Sequence, residues 1–492
     1  MLRKIASLGS IQLVGILLNV VRSKVFAVLL GPAGFGVVAT IDQLVITVVQ
    51  VFHLSLPSTA LKFLSHSHSL GEDKFRRSYA AFFKAIAFLA TIATIVTVAA
   101  VPPNLARLDA QLAPFRGPVT IALLGIPATM MLIYFYNVLA ARQEGVRSGL
   151  LTVVSGAVIL IAGTIGCLLD GISGIYIAVV PASTILVIAL IIVLWKKAHL
   201  PVWAKSASVW AELSTDSKFV EVTFCLYVAG ASASIQLFLA RYVTLTNVSA
   251  EAAGLLQACL AVALSIGAVV GSASVLYYRP HVNRAIPAAE KIEATGRFVP
   301  RLILIYCLGG LLVLLFPESV LALLFSTQFA PAVAILPWFV AWQCVFQVSN
   351  VYQQLLIGFD DSRGFAWVTV SGNLVAAVLC LLLVDRLSQL GIAIGFIVGA
   401  MITALLTGVR LRRNHGIAIP WSTVACMAFT LLGFSAVAAV GYLTGEMTLA
   451  GLGARSLTAL VFLTGLWLVL PSTLRADVAG EFSTRLRAWR GD

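Results

Sequence analysis

Long apolar runs separated by short polar links fill the sequence from residue 8 to residue 474. A run of about 20 apolar residues lets a helix cross the ~30 Å hydrocarbon core of a bilayer. The pattern therefore predicts an all-α polytopic membrane protein with about 14 transmembrane helices. The predicted spans are 8–30, 36–63, 79–101, 118–141, 149–169, 172–195, 219–245, 252–278, 299–316, 333–358, 365–384, 390–410, 421–443 and 452–474.

The composition excludes a soluble protein. Of the 492 residues, 60% are hydrophobic and 11% are charged, whereas an ordinary soluble domain is about 25% charged. The net charge is +13. A nucleic-acid-binding protein clusters its lysines and arginines on one solvated face. Here most of them lie in the links between apolar runs, so we expect no nucleic-acid partner.

The distribution of lysine and arginine predicts the orientation, because cytoplasmic links carry an excess of both. Alternate links starting from the N-terminus carry Arg3, Lys4, Lys74, Arg76, Arg77, Arg142, Arg147, Lys196, Lys197, Lys205, Arg279, Arg284, Lys291, Arg297, Arg363, Arg410, Arg412, Arg413, Arg475, Arg485, Arg487 and Arg490. The opposite links carry Arg107, Arg116, Arg386 and Arg455. We therefore expect an even number of spans with both termini in the cytoplasm.

Motifs of soluble enzymes are absent from the sequence. There is no P-loop, HExxH or GxSxG motif, and the seven cysteines are scattered singly through apolar segments without metal-ligand or disulfide spacing. The pair Asp360-Asp361 is interpreted as solvated turn acids. The sequence thus predicts no metal, no cofactor and no catalytic residues. Its short outer links also argue against a polymerase or ligase, which needs an external platform.

A weak internal repeat divides the chain into two halves. Residues 30–36 (Leu-Gly-Pro-Ala-Gly-Phe-Gly) link spans one and two, and residues 249–255 (Ser-Ala-Glu-Ala-Ala-Gly-Leu) link spans seven and eight. Two six-helix halves with a site between them are a common transporter plan. The predicted division is an N-terminal lobe at 1–215, a C-terminal lobe at 216–413, and two further helices with a tail at 414–492.

Charges within the spans are the best candidates for function, because each costs roughly 2.5–3.5 kcal/mol at the bilayer centre. Arg22 and Lys24 lie in span one, and Asp42 lies in span two. Arg22 and Lys24 are about 200° apart around a helix, so they cannot share one face. Both lie in the outer half of the bilayer at a depth similar to that of Asp42, so an ion pair with Asp42 is one interpretation.

An anion site is the other interpretation. Arg241 lies in span seven. Span seven is the first span of the second half of the chain, as span one is of the first half. Cations facing each other across a cavity suit a phosphate or pyrophosphate. Lys62, like Lys84, lies nearer a cytoplasmic end, where snorkelling to the headgroups is the alternative. The polar candidates for lining the cavity are Asn19, Gln50, His53, Tyr227, Gln236 and Gln257, with His53 as either a core histidine or a proton relay.

Several of these stretches resemble a known family. Residues 24–36 (Lys-Val-Phe-Ala-Val-Leu-Leu-Gly-Pro-Ala-Gly-Phe-Gly), with their continuation through 42–44 to 60–63, resemble the first hairpin of Wzx-type polysaccharide flippases. These belong to the polysaccharide-transport branch of the MOP superfamily. Residues 239–242, 253–257 and 325–329 agree in the second half. The resemblance covers roughly residues 1–413.

The resemblance implies two six-helix lobes around a central cavity in the bacterial inner membrane. It implies flipping of an undecaprenyl-pyrophosphate-linked oligosaccharide from the cytoplasmic to the periplasmic leaflet. The implied partners are this substrate, membrane lipids and other polysaccharide assembly proteins. Lys24, Lys62 and Arg241 fall where similar proteins carry basic residues. Asp42 stands where some relatives carry a basic residue, and Arg22 has no clear counterpart.

The predicted mechanism is alternating access. Lys24 and Arg241 are expected to hold the pyrophosphate, with Lys62 or Arg22 assisting, while Asp42 and His53 are candidates for ion coupling or an ion pair. The first alternative is a MATE-like exporter of organic cations, which requires an acidic residue such as Asp42 in its cavity. A membrane-bound polymerase or ligase and a structural scaffold are further alternatives.

Overall fold

The computed structural model describes residues 2–69, 71–108, 110–142, 144–198, 217–274, 278–282, 286–444, 449–472 and 475–476. The described residues form helices and contain no strand, which confirms the predicted all-α fold. The helices are α1 (Leu2–Phe52), α2 (Leu56–Ser69), α3 (Glu72–Leu108), α4 (Arg116–Leu124), α5 (Ile126–Ala141), α6 (Gly145–Ala198), α7 (Ser217–Asn247), α8 (Ala250–Ala273), α9 (Arg279–Val282), α10 (Ala288–Leu315), α11 (Pro317–Leu324), α12 (Leu336–Gly358), α13 (Ser362–Leu387), α14 (Gln389–His415), α15 (Trp421–Thr444) and α16 (Leu449–Val469).

Eleven segments of the described chain are long and apolar enough to cross a membrane. Two of them, Val14–Phe52 and Gly145–Lys196, are 39 and 52 residues long, and each contains a break in helical geometry. Gly31 breaks the first and residues 170–171 break the second, and each segment is long enough for two crossings. Helix α12, together with the 3-10 helix Thr327–Ala334 that precedes it across a 63° bend, is a further candidate. The described residues thus hold eleven candidate crossings, or twelve with the bent pair, and the predicted number of about fourteen is reached only if each of the two broken segments crosses twice.

The predicted continuous span 36–63 is wrong, because α1 ends at Phe52 and α2 begins at Leu56. Pro57 explains the break, since it has no N–H to donate to the carbonyl of His53 and its ring would clash with that carbonyl in a continuous helix. The His53 ring instead accepts the backbone N–H of Ser55 at its Nδ1 atom, 3.0 Å away. Leu54 and Ser55 take left-handed backbone angles, with φ of 49° and 54°.

The chain divides into two compact units. The first comprises Met1–Gln257 with Leu324–Gln328, and the second comprises Ala258–Leu323 with Phe329–Asp492. Helix α7 therefore belongs to the first unit, together with the helices of the N-terminal half. The lobe boundaries at 215 and 413, which come from the internal repeat, stay a prediction.

The core of the first unit is built from aromatic side chains on α3 and α5. Phe75, Tyr79, Phe82, Tyr134 and Phe135 are fully buried there. The rings of Tyr79 and Tyr134 stack with centroids 5.8 Å apart, and the Tyr134 hydroxyl donates to the backbone carbonyl of Tyr79 at 2.8 Å. This packing satisfies a buried hydroxyl without water and gives the unit a rigid interior.

The second unit has its own core, and it includes the last two helices. Trp342 of α12 packs on Phe396 of α14 with ring centroids 4.8 Å apart. Arg455, near the start of α16, is only 4% exposed and donates to both carboxylate oxygens of Glu318 on α11, at 3.3 and 3.4 Å. A buried arginine is costly unless it is paired, so this bond ties α16 to the rest of the unit. The seven cysteines of the chain are buried, as predicted.

Asp361, in the turn between α12 and α13, belongs to an ionic cluster that the sequence interpretation missed. Its carboxylate accepts two hydrogen bonds from Arg410 at 2.8 and 2.9 Å and caps α13 by accepting the N–H of Gly364. His415 lies 3.5 Å from the same carboxylate. The interpretation of Asp361 as a solvated turn acid is wrong, because the side chain joins the start of α13 to α14.

Asp361 is expected to stabilise the second unit in a pH-dependent way. The hydrogen bonds from Arg410 are the main cause that lowers the pKa of the Asp361 carboxyl. Its stabilising effect is therefore fully present above the unfolded pKa of about 3.9 and is lost as the pH falls through the lower folded value. Asp361→Asn should lower the free energy of unfolding by roughly 1 kcal/mol at pH 7. Thermal midpoints across pH 3–8 check this, and a difference from wild type that does not become smaller between pH 5 and pH 3 would contradict it.

Candidate substrate-binding site

A cavity of about 370 Å³ lies within the first unit, enclosed by α1, α4, α5, α6, α7 and the start of α8. Most of its wall is aliphatic. Charged and hydrogen-bonding side chains converge on it from different helices, among them Arg22, Asp42, Gln43, Tyr176, Arg241 and Gln257. An apolar cavity with a few convergent polar groups is the usual form of a ligand site.

Arg241 is the most tightly held of these residues. It is 5% exposed, and its Nε atom donates to Oε1 of Gln257 at 2.9 Å. Its Nη1 atom donates to Oε1 of Gln43 at 3.0 Å and to the carbonyl of Leu237 at 3.2 Å. Amide partners fix the orientation of the guanidinium but carry no charge. The positive charge of Arg241 is thus held in place without being neutralised by these partners.

The Nη2 atom of Arg241 makes no hydrogen bond to any residue that the structure describes. A guanidinium has five N–H donors, and a pair of them matches the oxygens of a phosphate or carboxylate. Since Arg241 lines the cavity, its remaining donors are available to a ligand there. This geometry suits an anion.

Asp42 is oriented by a different helix. The Tyr176 hydroxyl of α6 lies 3.0 Å from Oδ1 of Asp42 and 3.2 Å from the carbonyl of Val38. Both Arg22 and Arg241 interact electrostatically with the carboxylate, yet within the described chain Asp42 forms no salt bridge within 4 Å. Two guanidinium groups and one carboxyl group therefore share the cavity, so basic groups outnumber acidic groups in its lining.

The structure brings some of the predicted site residues into one cavity and leaves the others outside it. Arg22, Asp42 and Arg241 line one cavity, whereas Lys24 and Lys62 have exposed side chains and are not part of its lining. His53 is buried at the break between α1 and α2. The predicted roles of Lys24, Lys62 and His53, which do not line the cavity, stay predictions.

Two functional candidates, Gln43 and Tyr176, were not identified from the sequence. Gln43 directly follows Asp42, and an Asp-Gln pair inside an apolar span is a signal that could have found it. Tyr176 is a single tyrosine in an apolar run, and nothing in the sequence marks it as a partner of Asp42. Gln257 was among the predicted polar lining residues, and it orients the guanidinium of Arg241 by accepting a hydrogen bond from it.

The glycine-rich turn positions this site. Gly31 has a φ of 65°, a left-handed angle that favours glycine. A Cβ atom on Gly254 would overlap the carbonyl of Pro32, and one on Gly36 would overlap the first turn of α8. The close approach of the two backbones brings the start of α8, and with it Gln257, to Arg241.

Gly254→Ala is expected to disturb this arrangement. The added methyl group must push α8 away from residues 32–36, and overpacking of this kind costs about 1–3 kcal/mol. Gly271→Ala is the matched control, because it lies in the same helix and its added Cβ would meet nothing within 4 Å. Thermal midpoints of the purified variants check the prediction. Equal midpoints for the two variants would contradict the role of the close approach.

The fold resembles those of solved membrane transporters. A structure of lipid II flippase MurJ in an inward closed conformation matches with a TM-score of 0.68 and 12% identity, over 92% of this chain and 97% of that chain. An inward-facing multidrug resistance MATE family transporter of the MOP superfamily matches with a TM-score of 0.63 and 13% identity, over 84% and 99%. Its outward-facing counterpart gives a TM-score of 0.58 and 14% identity, over 83% and 94%.

No protein-family model and no curated protein sequence matches the chain. The likeness to the solved structures covers nearly their whole length, at identities that establish the fold alone. The chain is a multi-pass membrane protein whose fold is that of these MurJ and MATE structures.

Proposed function

We propose that this protein is a flippase that moves an undecaprenyl-pyrophosphate-linked oligosaccharide from the cytoplasmic to the periplasmic leaflet of the bacterial inner membrane. Arg241 and Arg22 bind the pyrophosphate in the cavity of the first unit. The polyprenyl chain stays in the bilayer during the movement. Alternating access then exposes the headgroup to one side of the membrane at a time.

The observation that carries this proposal is the environment of Arg241. Its guanidinium is buried, oriented by two neutral amides, and free of a direct carboxylate partner among the described residues. A structural arginine in a membrane protein is usually neutralised by an acid, because an uncompensated charge is costly there. An arginine held in place but not neutralised is suited to a ligand that brings negative charge.

The direction of movement also has a physical basis. A pyrophosphate diester carries a charge of about −2, and moving it outward across a membrane that is negative inside is favourable by roughly 4–5 kcal/mol per 100 mV. The empty carrier then returns without that charge. The membrane potential is therefore sufficient to favour export of the headgroup.

Lys24 and Lys62 remain candidates for binding the substrate outside the cavity. Both side chains are exposed, and Lys24 lies on a different face of α1 from Arg22. Arg22 therefore takes the place of Lys24 as the second cation of the proposed pyrophosphate site. Neutralising Lys24 should affect binding less than neutralising Arg241.

The proposal is tested by the thermal midpoint of the purified protein in neutral detergent with three compounds. Undecaprenyl pyrophosphate should raise the midpoint by mass action, since it binds the native state. Undecaprenol, which has the same chain without the charge, and a quaternary organic cation should not. Equal stabilisation by undecaprenol and the pyrophosphate would overturn the anion site.

An exporter of organic cations is the second candidate function. It is favoured by the Asp42 carboxylate in the cavity and by the likeness to MATE transporters. Stabilisation by the organic cation alone would select it. The excess of guanidinium over carboxylate in the cavity argues for the anionic lipid.

A further inference from the structure

A second cavity, of about 450 Å³, lies within the second unit as a groove between α12, α14 and α15. Its wall is mostly aliphatic. The hydroxyls of Tyr352 and Thr423 in the wall lie 3.3 Å apart and bond to each other. Because these two groups are satisfied internally, the groove presents an apolar surface to an occupant.

One face of α14 continues this surface to the outside of the protein. Met401, Leu405 and Val409 line the groove and are 53%, 66% and 40% exposed. They follow one another at intervals of four residues, which places them on one side of the helix. In a membrane-spanning helix, an exposed apolar stripe of this kind faces hydrocarbon.

The length of the stripe corresponds to one leaflet of a bilayer. From Met401 to Arg412, which lines the end of the groove, is eleven residues, or about 16.5 Å along a helix. Half of the hydrocarbon core is about 15 Å thick. The groove is therefore long enough for the acyl chain of one leaflet, and it ends in a cation.

Arg412 is a suitable group for the head of a lipid. Its side chain is exposed, and it has no hydrogen-bond or ion-pair partner in the described part of the chain. Arg410, two residues earlier, is already bound by Asp361. Ala418 and Ile419, in the link that joins α14 to α15, close the same end of the groove.

We propose that this groove binds one phospholipid of the bilayer with an anionic headgroup. The phosphate contacts Arg412, and one acyl chain lies along Met401, Leu405 and Val409. The distribution of cations places this end of α14 on the cytoplasmic side, where basic pockets between helices bind anionic lipids. The bound chain fills the space between α12 and α15 and so holds α15 against the core of the second unit.

The test uses the purified full-length protein in neutral detergent and measures the thermal midpoint during titration with phosphatidylglycerol or phosphatidylcholine of the same acyl chains. Phosphatidylglycerol should stabilise the wild type at lower concentration. Arg412→Gln should weaken its apparent Kd about five-fold, which corresponds to about 1 kcal/mol for one arginine near a charged lipid surface. Arg413→Gln is the matched control and should behave as wild type, because Arg413 does not line the groove.

A second variant tests the acyl chain. Ala404→Phe places a ring in the groove and should reduce the stabilisation by phosphatidylglycerol by more than half, without changing the response to undecaprenyl pyrophosphate. Equal effects of the two phospholipids on wild type, or equal Kd values for Arg412→Gln and Arg413→Gln, would overturn the proposal. If Arg412→Gln instead abolished stabilisation by undecaprenyl pyrophosphate alone, the groove would belong to the transported lipid and not to a phospholipid.

Discussion

Arg241→Gln is expected to weaken the binding of undecaprenyl pyrophosphate by ten- to a hundred-fold and to stop flipping. Hydrogen bonds to a charged group contribute about 1.5–3 kcal/mol each, and 1.4 kcal/mol corresponds to a factor of ten. Glutamine still reaches neighbouring amides but has neither the charge nor the paired donors of a guanidinium. Binding is measured by thermal titration, and flipping by surface polysaccharide in cells that depend on the variant.

Lys84→Gln is a suitable control for that experiment, since Lys84 is an exposed cation of α3 that does not line the cavity. A Gln43→Leu variant extends the test. It leaves the charge of Arg241 but removes the amide that holds Nη1. Binding should fall by less than for Arg241→Gln. Wild-type surface polysaccharide in the Arg241→Gln strain would refute the assignment of this residue to the substrate.

Asp42→Asn is expected to have opposite effects under the two candidate functions. Asparagine has nearly the same shape as aspartate and can still accept the hydrogen bond from Tyr176. Removing the carboxylate leaves Arg22 and Arg241 without their nearby negative charge, so the affinity for a pyrophosphate should rise. A change of roughly 1 kcal/mol, or about five-fold, is expected for charges several ångströms apart.

An exporter of organic cations would instead lose the one carboxylate found among the described residues of the cavity lining, and cation binding should fall in the same variant. Wild type and Asp42→Asn are each titrated with undecaprenyl pyrophosphate and with an organic cation. A flippase should bind the pyrophosphate more tightly after the substitution, and a cation exporter should bind the cation more weakly. Asp360→Asn is the control, because Asp360 is an exposed acid of the second unit. Weaker binding of the pyrophosphate lipid to Asp42→Asn would contradict the anion site.

The positions of the charged residues were predictable from the sequence, and their partners were not. Arg22, Asp42 and Arg241 stand out because charges in apolar spans are rare, and helix geometry places them at similar depth. The structure places all three in the lining of one cavity, while their depth in the bilayer stays a prediction. Tyr176 is 134 residues from Asp42, and only the packing of α6 against α1 brings the two together.

The break between α1 and α2 shows where hydropathy is insufficient. The window 36–63 is apolar enough to be one span, and one proline hardly changes the mean hydropathy of the window. Pro57 removes the hydrogen bond to His53, and the backbone turns there. Proline positions within the windows were the available signal. The same signal is found at Pro127, in the first turn of α5 after the Gly125 break.

The ion pair between Arg455 and Glu318 has a consequence for biogenesis. The two residues are 137 positions apart, and at about 5–20 residues per second the ribosome needs about 7–27 s to reach the second after the first. Throughout that interval Glu318 enters the membrane without its arginine. A chain truncated before α16 would lack the guanidinium that donates to both carboxylate oxygens of Glu318. The contact between α11 and α16 can therefore form only after α16 has been made.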